Sequence, residues 1–212
     1  MKPKRKKSPP AARIHQHREM SIRGWFSPRN KEWYRRRVSQ IHNGEIAEVG
    51  VYGGASILSI VDICIQNGII IHGIDPWEKI STFNGKKVPL DEKKKKQRSL
   101  KQRRKHLADV IEKYNYGDTI KLIQGFSTKV ADRFVDNSLD LVFIDGDHSY
   151  DAVSNDLRAW WPKVKQGCGV MGGHDYSGPA SNITQAVDEF VKLHKLEAQF
   201  ACFGNIWDIT KT

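Results

Sequence analysis

From residue 45 onward the chain alternates short apolar runs with longer stretches whose apolar residues recur every third or fourth position, the pattern of strands alternating with helices. Ile46, Ala47 and Val49 predict a strand, and Ile57, Leu58, Ile60, Val61 and Cys64 predict a helix behind it. The run 69–75, which ends in Asp75, reads as a buried parallel strand. Residues 78–95 are polar, with Gly and Pro, and predict a loop; 96–114 predict a basic helix with Leu100, Leu107, Val110 and Ile111 inside. Strand 120–123 is followed by a short helix carrying Val130, Ala131 and Phe134. Strand 139–144 precedes a helix over 151–164 with Val153, Leu157, Trp160, Trp161 and Val164 on one face. A glycine-flanked strand, 167–173, comes before a helix over 182–195 with Ile183, Val187, Phe190, Val191 and His194 in register. Strands 199–203 and 206–209 are joined by Gly204-Asn205, a two-residue hairpin turn. The expected fold is α/β: a doubly wound, mostly parallel, seven-stranded sheet with helices on both faces and an antiparallel strand from the C-terminal hairpin.

Ahead of this alternation the composition differs. Residues 1–21 begin Lys-Pro-Lys-Arg-Lys-Lys-Ser-Pro-Pro, hold little to bury, and read as a disordered basic tail or interdomain linker. Within 22–43, Trp33, Tyr34, Val38 and Ile41 keep helical spacing and predict a helix over 30–42, capped near Ser27 with Pro28 in its first turn. That helix either packs over the sheet or closes as a lid on a bound cofactor.

Charge divides the chain in the same way. Residues 1–42 carry 13 Lys/Arg against Glu19 and Glu32, a net +11, and 86–105 carry 11 against Asp91 and Glu92, a net +9. Since the whole chain is +11, the remainder is −9: an acidic core domain, 44–212, with a basic tail and a basic loop-helix insertion over 78–117. The basic segments read either as solvated tail and helix or as a surface for nucleic acid or another polyanion. With 212 residues there is room for one domain with appendages and no second catalytic domain. No apolar run approaches the roughly 20 residues of a membrane helix. Cys64, Cys168 and Cys202, scattered and in apolar surroundings, read as reduced thiols of a cytoplasmic protein, none assigned to a metal.

A doubly wound sheet binds its ligand beyond the carboxyl ends of its strands. There the sequence collects Glu48, Gly50 and Gly54, then Asp75, Ser127, Asp145 with Asp147 and His148, and His174 with Asp175. The turn Glu-Val-Gly-Val-Tyr-Gly-Gly is of nucleotide-binding type, but Tyr52 stands where a dinucleotide fingerprint has the glycine that admits a pyrophosphate, and no Gly-Lys-Ser/Thr follows. A nucleoside without phosphates remains, with Asp75 accepting from its ribose hydroxyls.

Glu48-x-Gly50-x-x-x-Gly54, Gly73-Ile74-Asp75, Phe143-Ile144-Asp145-Gly146-Asp147-His148-Ser149-Tyr150 and Gly172-Gly173-His174-Asp175-Tyr176 together resemble the ordered motifs of the class I S-adenosylmethionine-dependent methyltransferases over residues 44–210. Within that class the last two are similar to the metal-dependent sugar O-methyltransferases of macrolide and aminocoumarin biosynthesis. The resemblance implies a Rossmann-like sheet. It implies S-adenosylmethionine as cofactor, with Glu48, Gly50, Tyr52 and Gly54 at its methionine portion and glycine turn, Asp75 at the ribose, residues 125–127 including Ser127 at the adenine edge, and Asp145 adjoining. It also implies a divalent metal on Asp145 and Asp175. His174 precedes Asp175 where the family has an acid, which suits Mn²⁺ better than Mg²⁺.

Methyl transfer to an alcohol needs a base for the hydroxyl proton. His148 is the favoured candidate, with Asp147 as its orienting partner or a substrate hydrogen bond; the other reading of His148 is a capping or loop residue, and for His174 ligand, base and structural roles stay open. The reading is an O-methyltransferase acting on a sugar hydroxyl, such as a deoxyhexose like rhamnose in a glycan. The basic tail would join it to glycan-synthesising domains N-terminal to it. The alternative is an RNA methyltransferase whose basic segments bind phosphates.

Overall fold

The computed structural model describes residues 26–78, 82–83, 86–87 and 90–212, with no side-chain description between 79 and 97. The expected basic tail, the start of the 22–43 segment and part of the 78–95 loop lie outside the described residues. Helix α1 is Pro28–Val38, followed by β1 (Glu45–Val49), α2 (Ala55–Leu58), α3 (Val61–Asn67) and β2 (Ile70–Asp75). Two-residue strands β3 (Thr82–Phe83) and β4 (Lys86–Lys87) precede α4 (Leu90–Lys113), β5 (Ile120–Gln124), α5 (Ser127–Ala131), β6 (Leu141–Ile144) and α6 (Tyr150–Trp160). A 3-10 turn (Trp161–Lys163), β7 (Val170–Gly173), α7 (Asn182–His194), β8 (Phe200–Phe203) and β9 (Ile206–Thr210) complete the chain. The main sheet has seven strands in the order β5-β2-β1-β6-β7-β9-β8, and β9 alone runs antiparallel to both its neighbours.

Strand alternation builds a core on each face. Ile46, Ile71, Leu141 and Phe143 point to the side covered by α1, α3 and α4, with Trp33, Tyr34, Ile60, Cys64 and Leu107 against them. Ala47, Val142, Ile144 and Met171 point to the other side, under Val153, Leu157 and Trp160 of α6 and Val187 and Phe190 of α7. Two glycines in β7 are required by close packing. A Cβ on Gly172 would lie 2.8 Å from the Trp33 ring, and one on Gly173 2.6 Å from the Trp207 ring.

Element boundaries differ from the sequence reading at the α2–α3 break and at the start of α4. The helix after the glycine turn breaks at Ser59 and Ile60, because the Ser59 carbonyl accepts from Arg35 (2.6 Å) and its hydroxyl bonds back to Ser56 O (2.6 Å). Helix α4 begins at Leu90 rather than 96. Of the three cysteines only Cys64 is buried; Cys168 and Cys202 are exposed. Among the described residues no helix is long and apolar enough to cross a membrane.

Of the two roles open to α1, the described residues show packing. Ser27 caps it, accepting from Asn30 N at 3.2 Å, Pro28 opens its first turn, and Trp33, Tyr34 and Val38 are buried on the sheet, with the Tyr34 ring stacked on Phe143. Polar bonds fix its register: Trp33 Nε1 donates to Asp208 Oδ2 (2.7 Å), which Arg37 also reaches at 2.7 Å. Replacing Asp208 by Ala strands the buried Trp33 N–H and the Arg37 guanidinium. We expect Asp208→Ala to lower stability by about 2 kcal/mol or more, with Asp208→Asn losing less; thermal unfolding followed by tryptophan fluorescence measures both.

Candidate active site

The sheet order sets Ser127, Asp75, Gly50, Asp145 and His174 side by side at the carboxyl ends of β5, β2, β1, β6 and β7. At the strand spacing of about 4.8 Å, Asp75 and Asp145 flank the β1 turn roughly 10 Å apart. That turn crosses the end of β6 so closely that a Cβ on Gly50, whose φ is +92°, would lie 2.0 Å from the Asp145 carbonyl oxygen. Gly54 also has a positive φ, +84°, and its missing Cβ leaves room for Leu107 of α4.

Tyr52 and Asp75 are joined directly. The Tyr52 N–H donates to Asp75 Oδ2 (2.8 Å), the Trp77 N–H to Oδ1 (2.6 Å), and Trp77 Nε1 donates to the Tyr52 carbonyl (2.9 Å). Burial raises the pKa of Asp75 against these two amides. The Tyr52 ring is nearly half exposed, with the Arg103 guanidinium 4.2 Å from its centre.

Glu48 lies near the end of β1, next to the glycine turn. It is fully buried, and its oxygens accept from Tyr34 Oη (3.1 Å) and Ser56 Oγ (2.5 Å), so both are held by the protein. Burial pushes its pKa up to about 8 despite those bonds, and the negative charge of Asp145 adds to the shift. The Ser127 hydroxyl, at the start of α5, is likewise engaged internally: it accepts from Trp160 Nε1 (2.7 Å) and bonds to the buried Asp156, whose pKa burial lifts to about 6. What stands open beside it is the Phe126 ring, 62 % exposed, within the 125–127 stretch that the resemblance implied for the adenine edge.

Four side chains converge at β6 and β7. His174 Nδ1 lies 3.5 Å from Asp145 Oδ1 and 3.2 Å from Asp175 Oδ1, and His148 Nε2 lies 3.4 Å from Asp175 Oδ2 and 3.9 Å from Asp145 Oδ1. Burial raises the Asp145 pKa, opposed by its bond to His174; Asp175, bonded to His174, is held below the usual carboxylate value. Burial alone would lower the His174 pKa, but the two carboxylates outweigh it and push it up to about 9. Asp147 adjoins His148 in sequence and bonds toward the start of α6. Its Oδ1 accepts from its own near neighbour, Ser149 N (2.8 Å), just before Ser149 caps α6, so the carboxylates that face His148 are Asp175 and Asp145.

The far side of His174 was also missed. Its Nε2 meets the amide nitrogens of Asn30 in α1 (2.6 Å) and Asn205 in the β8–β9 turn (3.1 Å). In sequence the first reads as a helix-start residue and the second as a turn residue, and nothing in their spacing connects either to residue 174. A surface groove between α6 and α7, lined by Tyr150, Arg158 and Glu189, collects none of the strand-end residues.

Asp145, His174 and Asp175 can hold a metal: one donor atom from each lies within 4.8 Å of the others. Neighbouring ligands of an octahedral ion at about 2.1 Å stand roughly 3 Å apart, close to the separations at His174 Nδ1. A ring nitrogen with two carboxylate oxygens suits a cation of the Mn²⁺ kind.

Comparisons with known proteins fit this arrangement. The family described as Methyltransferase domain matches residues 47–176, a span that holds Glu48 to Asp175. No curated protein matches the chain. Among solved structures it is similar to the O-methyltransferase NovP, at 18 % identity and a TM-score of 0.62, over 87 % of this chain and 80 % of that one. It is similar to SAH-bound PaMTH1 from Podospora anserina, at 15 % identity and 0.60, over 99 % and 91 %. A third is CalS11, a TDP-rhamnose 3'-O-methyltransferase of calicheamicin biosynthesis, at 12 % identity and 0.54, over 94 % and 91 %. At these identities the likeness is one of fold.

The buried Glu48 makes stability depend on pH. Its carboxyl ionises near 4.5 when unfolded and near 8 when folded, so stability falls as pH rises through that window and levels off above it. Glu48→Gln lacks the dependence. We expect its melting temperature to gain on the wild type between pH 4.5 and 8, by on the order of 5 °C at the upper end, in melts run across that range.

Proposed function

The chain belongs to the methyltransferase-domain family matched over residues 47–176, and from that premise we propose that it transfers a methyl group from S-adenosylmethionine to a hydroxyl of a sugar, with a divalent cation held by Asp145, His174 and Asp175. One observation carries the reading: Gly50 seats the β1 turn against Asp145, which places a nucleoside-type turn beside a cluster of two histidines and two carboxylates. The O-methyltransferases NovP and CalS11, similar in fold, support oxygen as the acceptor atom, and CalS11, which acts on TDP-rhamnose, supports a deoxyhexose such as rhamnose as the kind of sugar.

The turn from Gly50 to Gly54 and Asp75 would receive the nucleoside, the carboxylate facing the ribose and the open Phe126 ring the base edge. When bound, the cation would lower the pKa of the acceptor hydroxyl and fix its orientation. His148 takes the proton. A carboxylate only accepts, so Nε2, which faces Asp175, carries the hydrogen and Nδ1 offers the lone pair. In the transfer the acceptor oxygen bonds to the methyl carbon, the carbon–sulfur bond breaks, the sulfonium becomes a neutral thioether, and the hydroxyl proton moves to His148. Asp175 and Asp145, at 3.4 and 3.9 Å, stabilise the resulting imidazolium.

We expect labelled S-adenosylmethionine to deliver its methyl to a glycoside in a panel of rhamnosides, other glycosides, catechols and RNA, and chelation to stop transfer while S-adenosylhomocysteine still binds. Methylation of RNA alone, or full activity in chelator, would contradict the acceptor or the cation respectively. His148→Ala should cut kcat by about 10²–10⁴-fold with cofactor affinity unchanged. Because the carboxylates raise the His174 pKa to about 9, a proton competes with the cation below that value. Mn²⁺ affinity, measured by electron paramagnetic resonance, should therefore rise with pH and level off above about 9.

A further inference from the structure

His174 is gripped from two sides. Nδ1 faces two carboxylates, while Nε2 faces two carboxamides that come from parts of the chain 144 and 31 residues away. Asn30 is 2 % exposed, and α1 carries it under the sheet ends, where Phe26 also lies against the imidazole, ring centres 5.8 Å apart. Asn205 is fixed by the β8–β9 turn, whose carbonyl at the same residue accepts from Tyr176 N (3.0 Å), and its side chain also bonds to Asp175.

A neutral imidazole has one N–H and one lone pair, and a carboxamide can offer either a donor or an acceptor from nearly the same volume. With amide nitrogens turned inward, Nε2 must accept, so the ring hydrogen sits on Nδ1 and points between Asp145 and Asp175. No lone pair is then available on that side. With the amides rotated by half a turn, their oxygens accept from Nε2–H and Nδ1 is free to ligate. A histidine that ligates through one nitrogen characteristically donates from the other to an oxygen.

We propose that Asn30 and Asn205 form a two-amide clamp that selects which nitrogen of His174 carries the hydrogen, and so make helix α1 a part of the cation site. Both are positioning residues. The inference rests on the reading of Asp145, His174 and Asp175 as a cation site, and the two can fail separately.

The test uses the whole chain, with ¹⁵N-labelled histidine read by NMR without metal above pH 9, where the His174 ring is neutral and has a tautomer to report, and with Mn²⁺ titrated by electron paramagnetic resonance. Asn30→Leu and Asn205→Leu remove a partner of Nε2 and should weaken Mn²⁺ binding by about 10–100-fold while shifting the His174 ring signals. Asn205→Asp, in a turn where misfolding is least expected, offers only oxygen to Nε2. It should move the hydrogen to Nε2 in the spectrum and hold Mn²⁺ at least as tightly as wild type. Unchanged ring signals and unchanged Mn²⁺ affinity in all three variants would overturn the clamp. If the wild type itself binds no Mn²⁺, the cation reading fails, and the metal-free spectra still decide the clamp: a tautomer change upholds it, none overturns it.

Discussion

The site depends on one steric constraint, the crossing of the β1 turn over the end of β6. Gly50 occupies a left-handed conformation, and the Asp145 carbonyl oxygen stands where its Cβ would be, 2.0 Å away. Any other residue would have to push the two strand ends apart. With that contact in place, the Tyr52 amide reaches Asp75 on one side, and Asp145 comes within reach of His174 and His148 on the other. The glycine turn and the acid–histidine cluster are thus held against each other.

Buried polar groups hold the unit from behind. A carboxyl at Glu48, a carboxylate at Asp208 and an imidazole at His174 are each expensive to desolvate alone. Each is met by a side chain of α1: Tyr34, Trp33 with Arg37, and Asn30. The apolar face of α1 supplies the driving force for docking, and its polar residues set the register in which it docks. The helix, which the sequence left open between packing and a lid, is in this respect a brace beneath the site.

Much of this was legible in the chain. Continuous apolar runs such as 141–144, buried on both faces, mark parallel strands, and the acids and glycines at their ends mark the ligand side. What was not legible is long-range and side-chain specific. Asp147 reads as the neighbour of His148, yet its Oδ1 accepts from a local turn amide at the start of α6, and the carboxylates facing the ring are Asp175 and Asp145. Glu48 and Ser127 stand at strand ends as expected, yet neighbours the sequence does not reveal, Tyr34 with Ser56 and Trp160 with Asp156, already occupy them. Asn30 and Asn205 looked like cap and turn residues, and only the fold brings them to one ring nitrogen.

The central claim is that the turn at Gly50 and the cation ligands at Asp145, His174 and Asp175 serve one reacting centre. It is tested most directly by the effect of Mn²⁺ on the NMR signal of S-adenosylmethionine carrying a ¹³C-labelled methyl, bound to the protein. The account predicts strong paramagnetic broadening of that methyl, lost in Asp175→Ala although the cofactor still binds. A sharp methyl signal with both cofactor and Mn²⁺ bound would place them apart and contradict it.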